Sequence, residues 1–443
     1  MLSIFCLFFL LILNNAFAVE WDCNPTTNSN TNNNPYTLSS SCAISNNNFV
    51  MVTATLEIIG TNIDMNSLVT ITAANDKRHF KIEGGTLTLR YLHLTGGDMT
   101  GTPNAGGGSI SVLKSTSGNL ALGTLNLYST MFTNNIARKG SVIYSQYTGG
   151  TTNTKNSVNI FNSRFKNNGN HADCNTGGVI SLWQSSLTIE NSTITNNGPV
   201  KMRGGAIFVR DLNAVSNGPV ITLINVNFTD NLSKQHGGVV WSNVNNNNNA
   251  ITFDIKKCYF KNNKATDTTD DGGGVFAVNG NTLLTVRESS FIGNEAVNNN
   301  GHVLLSVQST FSSVTKSPTV TFVNSYFDNP TETGYMVGAS STYRNCNDSP
   351  CSVAPFTGLC SQVMASNPKL GVRCNYDSST TCSGGFTLVP VSNYTFSPPT
   401  NPATCLPPNK CNTGEKKVSN TCVSCEHGQF QSTNQFVGNE CTN

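Results

Sequence analysis

The chain has 443 residues, of which 11% are charged, and a formal net charge of +2. A charged fraction below half of the usual ~25%, with no basic stripe, excludes a nucleic-acid footprint. The surface must instead be covered by Asn, Ser and Thr, neutral groups suited to hydrogen bonding with sugars or with another polar protein surface; the alternative is that Asn runs such as Asn245 to Asn249 are loop filler.

The chain opens with MLSIFCLFFLLILNNAFA, an apolar run closed by the small-x-small pattern Ala16-Phe17-Ala18. This predicts a secretory signal peptide over residues 1–18, with an uncleaved anchor as the alternative. No later stretch reaches transmembrane length, so the mature chain is expected to lack a transmembrane segment and to be secreted, extracellular or at the cell surface. Residues 19–49 hold Cys23 and Cys42 around an Asn-rich loop and predict a disulfide-closed cap over the open sheet edges of the first coil. The runs FVMVTATLEII and SLVTITAA predict strands of one or two irregular opening coils.

From His79 a repeat governs the sequence. Its anchors are Leu94, Phe132, Phe165, Ile194, Phe228, Phe260, Phe291 and Phe327. Seven residues before each anchor stand Leu87, Leu125, Val158, Leu187, Ile221, Phe253, Leu284 and Val320. Five before stand Leu89, Leu127, Ile160, Ile189, Leu223, Ile255, Val286 and Phe322. Two apolar columns two residues apart are the period of a strand buried on one face. Three before the anchor the phase breaks at an Asn-rich bend containing Asn162, Asn191 and Asn225. A second short strand then carries the anchor inward. Three after the anchor comes a second Asn column (Asn135, Asn168, Asn197, Asn231, Asn263, Asn294), expected to take the left-handed conformation of a tight corner and to bond amide to amide along the stack. A third strand comes next each time, announced by Gly, as in GGVISL at 177–182 and GGAIFV at 204–209. Three strands per turn, none with a helical period, bury a core only when stacked. The fold class is therefore all-β, a right-handed three-sheet parallel β-helix over residues 50–345, with a disulfide-rich C-terminal tail.

The paired signatures Gly204-Gly205-Ala206-Ile207 and Phe228-x-x-Asn231 resemble the repeats of the chlamydial polymorphic outer membrane proteins, within the right-handed β-helix, pectin-lyase-like superfamily. The resemblance covers roughly residues 80–330 and implies an adhesin. No barrel pattern succeeds the repeats, which shifts the expectation to a soluble or matrix-bound form.

Residues 346–404 form a cysteine-containing linker region and 405–443 a cysteine-rich module. Cys346, Cys351, Cys360, Cys374, Cys382, Cys405, Cys411, Cys422, Cys425 and Cys441 are an even, dense set that predicts disulfides in a secreted chain, rather than zinc at Cys422 and Cys425. The last part resembles the small ephrin-receptor-like or tumour-necrosis-factor-receptor-like cysteine-rich modules. Cys174 and Cys258 fall about three coils apart, roughly 14 Å at strand spacing, beyond disulfide reach, and are expected to be free thiols.

Pectin-lyase-like enzymes work with acidic residues on the outer face, and one constellation here fits that chemistry. Arg203, His236 and the pair Asp270 and Asp271 precede the Gly corners of three successive coils. Arg203 or His236 could take the proton alpha to a uronate carboxylate while the aspartates hold calcium. The same residues also describe a solvated loop with favourable charge neighbours. Trp183 and Trp241 come directly after inward residues of Gly-led strands, point outward, and are the sugar-stacking candidates. Among the Asn-x-Ser/Thr sequons, Asn227, Asn347 and Asn393 are expected to carry glycans, whereas Asn191 and Asn231 are expected to be withheld in the corner ladders. The leading expectation is a non-enzymatic protein for adhesion to an extracellular glycan or protein surface, without a cofactor or resident metal. The alternatives are a polysaccharide lyase or glycoside hydrolase acting on an acidic polysaccharide, and a structural wall or coat component.

Overall fold

The computed structural model describes residues 19–328 apart from loop segments at 24–34, 45–48, 75, 103–104, 116–120, 148–154, 171–173, 175, 212–217, 245–248, 267–271, 298–300, 308, 312–313, 317 and 324, and beyond residue 328 only isolated strands. The signal segment, Asn347, Asn393 and eight of the ten C-terminal cysteines lie outside the described residues, while Cys405 and Cys422 fall in the strands Ala403–Leu406 and Thr421–Ser424.

Parallel strands build three long sheets, of 11, 10 and 11 strands, that wind around one interior. The leading sheet carries the paired apolar columns, with Leu125 facing Leu87 and Val158, and Leu127 facing Leu89 and Ile160 in register. The anchor sheet stacks Leu94, Phe132, Phe165, Ile194, Phe228, Phe260, Phe291 and Phe327. The glycine-led sheet runs through Ile110–Leu113, Ile143–Gln146, Ile180–Trp183, Ile207–Asp211, Val240–Val244 and Phe276–Asn279. The anchors from Leu94 to Phe291 are fully buried, and neighbouring phenylalanines lie nearly parallel, with ring centroids 5.1 Å apart for Phe228 and Phe260 and 4.8 Å for Phe260 and Phe291. Such stacking is a result of register, because identical side chains in adjacent parallel strands are held one strand spacing apart.

The opening strands are more regular than the sequence indicated. Val50–Val52, Thr55–Gly60 and Val69–Thr72 form a complete coil, with Leu56 opposite Leu87, Ile58 opposite Leu89 and Ile71 opposite Leu94. Before it, Val19–Glu20 and Tyr36–Leu38 extend the leading sheet and Cys42–Ala43 extends the anchor sheet. Cys23 and Cys42 are joined, with Cα atoms 6.3 Å apart. Trp21 is buried and stacks on Phe80 at 6.1 Å, so an indole closes the apolar end of the interior. Cys174 and Cys258 are buried and form no disulfide, as their coil positions required. Two residues before the anchor most coils place a small inward side chain, such as Thr130, Ser163, Ser192 and Ser289; Cys258 takes that place in its coil, where its thiol donates to the Lys256 carbonyl as Ser192 and Ser289 donate to the Glu190 and Arg287 carbonyls.

Two kinds of corner differ from expectation. The left-handed residue after each anchor is Asn134, Asn167, Asn196, Asp230, Asn262 or Gly293, one position before the Asn column. The column itself is buried and carries the ladder: Asn135 Nδ2 donates to Asn168 Oδ1, and the bond repeats through Asn197, Asn231, Asn263 and Asn294 at 2.9–3.1 Å. At the first corner Ser129, Asn162, Asn191, Asn225, Lys257 and Glu288 all have positive φ, so there the bend residue is the left-handed one. Before the third strand the two glycines divide the work. Gly177 and Gly204 take positive φ (63° and 68°), while a Cβ on Gly178 would be driven into the Gly205 carbonyl oxygen of the next coil.

Candidate functional site

Alternation along each glycine-led strand sends one residue in and the next out. The outward residues Tyr144, Ser181, Phe208, Trp241, Ala277 and Leu305 align in register, yet all are buried. Phe208 and Trp241 stack at 5.0 Å, and Trp183 packs against the same cluster. Trp241 therefore points outward as the sequence indicated but is only 5% exposed, covered by neighbours rather than open to a sugar ring.

The cover is cationic. Lys139, Thr176, Arg203 and His236 form one bridge-paired column just before the Gly corners. The Arg203 guanidinium lies 4.7 Å from the Trp241 ring centroid, the Lys139 ammonium 4.7 Å from that of Trp183, and the Arg210 guanidinium 5.1 Å from the same Trp183 ring. Arg210 is the strand partner of Trp183, which explains the contact. Burial depresses the Lys139 ammonium, and the Arg210 charge depresses it further; burial and then the Arg203 charge depress Arg210 in turn. Three cations are thus close enough to feel one another, and none makes an ion pair among the described residues. Asp211, next to Arg210, does not neutralise it. Strand alternation turns its carboxylate the other way, where it accepts from Gln184 Nε2 at 3.1 Å and raises Lys155 against the larger lowering by burial.

Several polar atoms on this face are buried without a partner: Arg203 Nε, Arg210 Nε, Trp183 Nε1, Thr176 Oγ1 and, further along the sheet, Asn279 Oδ1. Buried polar atoms are ordinarily satisfied, so these five are exceptions on this face.

Of the lyase constellation, the structure brings Arg203 and His236 together as partners in adjacent coils. Asp270 and Asp271 lie outside the described residues. Sequence reasoning passed over Lys139 and Arg210. Tracing the pre-Gly column back from Arg203 to Arg138-Lys139-Gly140 would have found the first, and strand alternation from Ile207 the second.

The sequons separate by corner. Asn227 is exposed on the outward side of its strand. Asn191 is also exposed; its Oδ1 accepts from Asn225 Nδ2 at 2.8 Å, so the expected bond between equivalent asparagines is made, but at the surface, where it does not shield the side chain. Asn231 is fully buried, with Nδ2 donating to the Ile194 carbonyl and to Asn263 Oδ1. Site-resolved mass spectrometry of folded, secreted protein is expected to find Asn231 unmodified while Asn191 and Asn227 are open to glycosylation. High occupancy at Asn231 would contradict the buried ladder.

Together these features define a three-sheet parallel β-solenoid with a cation-on-aromatic outer face. No protein family, no curated protein and no solved structure matches the chain. Among the described residues no helix is long and apolar enough to cross a membrane.

Proposed function

We propose that this is a secreted or cell-surface, non-enzymatic β-helix protein that binds extracellular glycan or matrix along its glycine-led face. The observation that carries the reading is the support of Lys139, Arg203 and Arg210 on the Trp183 and Trp241 rings. Cations held this way are fixed in position, and none has an ion-pair partner among the described residues, which suits them to binding. The apolar leader and the Gly-Gly-Ala and Phe-x-x-Asn repeats, which resemble those of bacterial adhesins, support the location and the role.

A lyase acting on an acidic polysaccharide is the second reading, favoured by the pairing of Arg203 with His236. A guanidinium stacked on Trp241 suits the holding of a carboxylate better than removal of a proton, because arginine stays charged in proteins. Both readings are tested by presenting immobilised glycans and matrix proteins to the whole protein and assaying product release with and without calcium. Retention without turnover is expected. Turnover abolished by Asp271→Ala would replace the binding reading with the enzymatic one, and no retention on any surface would favour a structural role.

A further inference from the structure

Resting on the binding role just proposed, we infer that the ligand of this face is an acidic glycan, its carboxylate or sulfate groups seated between Arg203 and Arg210 and reaching Lys139. The first argument is charge. In a chain with only 11% charged residues, three cations converge on two rings, and no carboxylate pairs with them among the described residues. Gathering like charges at partly desolvated positions is unfavourable unless an anion is brought in.

The second argument is hydrogen bonding, and it is independent of charge. Arg203 Nε, Arg210 Nε and Trp183 Nε1 can only donate, and Thr176 Oγ1 stands between the coils of Lys139 and Arg203 with no partner. These atoms are closed to solvent, so an entering ligand engages the outer N–H groups of Arg203 and Arg210, for which anionic oxygens supply acceptors. Guanidinium groups bind such oxygens in paired bonds, which a neutral hydroxyl cannot match.

The third argument selects a glycan over other polyanions. Lys139 and Arg203 lie two coils apart in one column, about 9.6 Å at strand spacing, so charges are met at intervals along the solenoid axis. Beyond Arg210 the same outward row continues with Asn243 and Asn279, neutral amides of the kind that meet hydroxyls. A polymer with sparse anionic groups among hydroxyls fits that row. A nucleic acid, charged at every step, would call for a continuous basic stripe.

The test uses the full-length secreted protein and four probes: an oligogalacturonate, a sulfated oligosaccharide, neutral dextran, and poly-glutamate as an acidic peptide. Titration calorimetry at two salt concentrations is expected to show binding of one or both acidic oligosaccharides, weakened by salt, with dextran at least tenfold weaker. The Arg203→Gln/Arg210→Gln double variant should lose at least tenfold in affinity, and Arg203→Lys/Arg210→Lys should recover part of it, with thermal unfolding unchanged as evidence that the fold survives. The carboxylated and sulfated probes distinguish the two sources of the anion. Preference for poly-glutamate would overturn the glycan assignment. Acidic-glycan binding untouched by the double variant would overturn the site. Retention on neutral glycans or matrix alone would leave the binding role standing while this inference fails.

Discussion

Replacement of Asn197 by leucine, which has the same branching and number of side-chain heavy atoms but no polar group, is expected to destabilise the solenoid by about 4 kcal/mol. Asn197 Oδ1 accepts from both the backbone N–H and the Nδ2 of Asn168, while its own Nδ2 donates to the carbonyls of Phe165 and Thr195 and to Asn231 Oδ1. Leucine leaves the buried Asn168 backbone N–H without an acceptor, takes from Asn168 Nδ2 one acceptor while its bonds to the Phe132 and Lys166 carbonyls stay, and strips the Phe165 and Thr195 carbonyls and Asn231 Oδ1 of a donor, each unsatisfied buried group costing about 1–3 kcal/mol. The site is wholly inside, so water cannot replace the lost partners. Asn225→Gly, at the exposed first corner where φ is +53°, is the matched control and should change stability by about 1 kcal/mol or less. Equilibrium urea unfolding compares the two. A cost at Asn197 no larger than that at Asn225 would mean the buried ladder is not a principal source of stability.

Acidification is expected to weaken the first coils through His79. This ring is fully buried, its Nε2 donating to the carbonyls of Ile71 and Thr95 at 3.1 Å and its Nδ1 accepting from Ser109 Oγ at 3.0 Å. Burial pushes its pKa from 6.5 down to about 4, a larger effect than the opposing pull of the two carbonyls, with the His93 charge adding to the fall. The unfolded chain therefore takes up a proton near pH 6.5 that the folded chain refuses until about pH 4. Stability from this group is fully present above pH 6.5, falls through that window, and is lower by about 3 kcal/mol once pH 4 is reached. Urea midpoints of the wild type and of His79→Gln, taken from pH 7 to 4.5, should diverge in slope, the variant being the flatter. Parallel profiles would show that His79 is not the group responsible.

The solenoid was legible because its main columns obey one simple rule, a large apolar side chain at fixed offset, and parallel register then stacks like on like. Leu87, Leu125 and Val158 announce themselves in the sequence and meet in the structure. The corners were harder because Asn serves two purposes in neighbouring positions. Asn134-Asn135, Asn167-Asn168, Asn196-Asn197 and Asn262-Asn263 are doublets in which the first residue bends the backbone and the second builds the ladder. The discriminating signal was present in the two coils where the first member changes. Asp230 and Gly293 tolerate positive φ but could not build the same amide ladder, whereas Asn231 and Asn294 beside them are kept. The opening coil was obscured by the longer excursion between Gly60 and Val69, which displaces the anchor strand from its usual offset. On the candidate face, alternation gave the direction of Trp241 correctly. Direction is a property of one strand, however, while exposure depends on what the adjacent coils bring over it, here Arg203 and Phe208.

The asparagine ladder has a sense as well as a position. Each amide gives its hydrogen to the coil that comes later in the chain, from Asn135 to Asn168 and onward to Asn294, and its second hydrogen to an anchor carbonyl in the coil before, as Asn263 does with Phe228. A chain emerging from the ribosome or a translocon N-terminus first would hold the backward bonds of its newest coil immediately, but its forward acceptor would not yet exist. In such vectorial synthesis each coil of the ladder would wait, one donor short, for roughly another thirty residues to appear before it is sealed. Growth would then run as in a zipper whose slider sits at the youngest end, with the disulfide-tied beginning of the molecule already behind it.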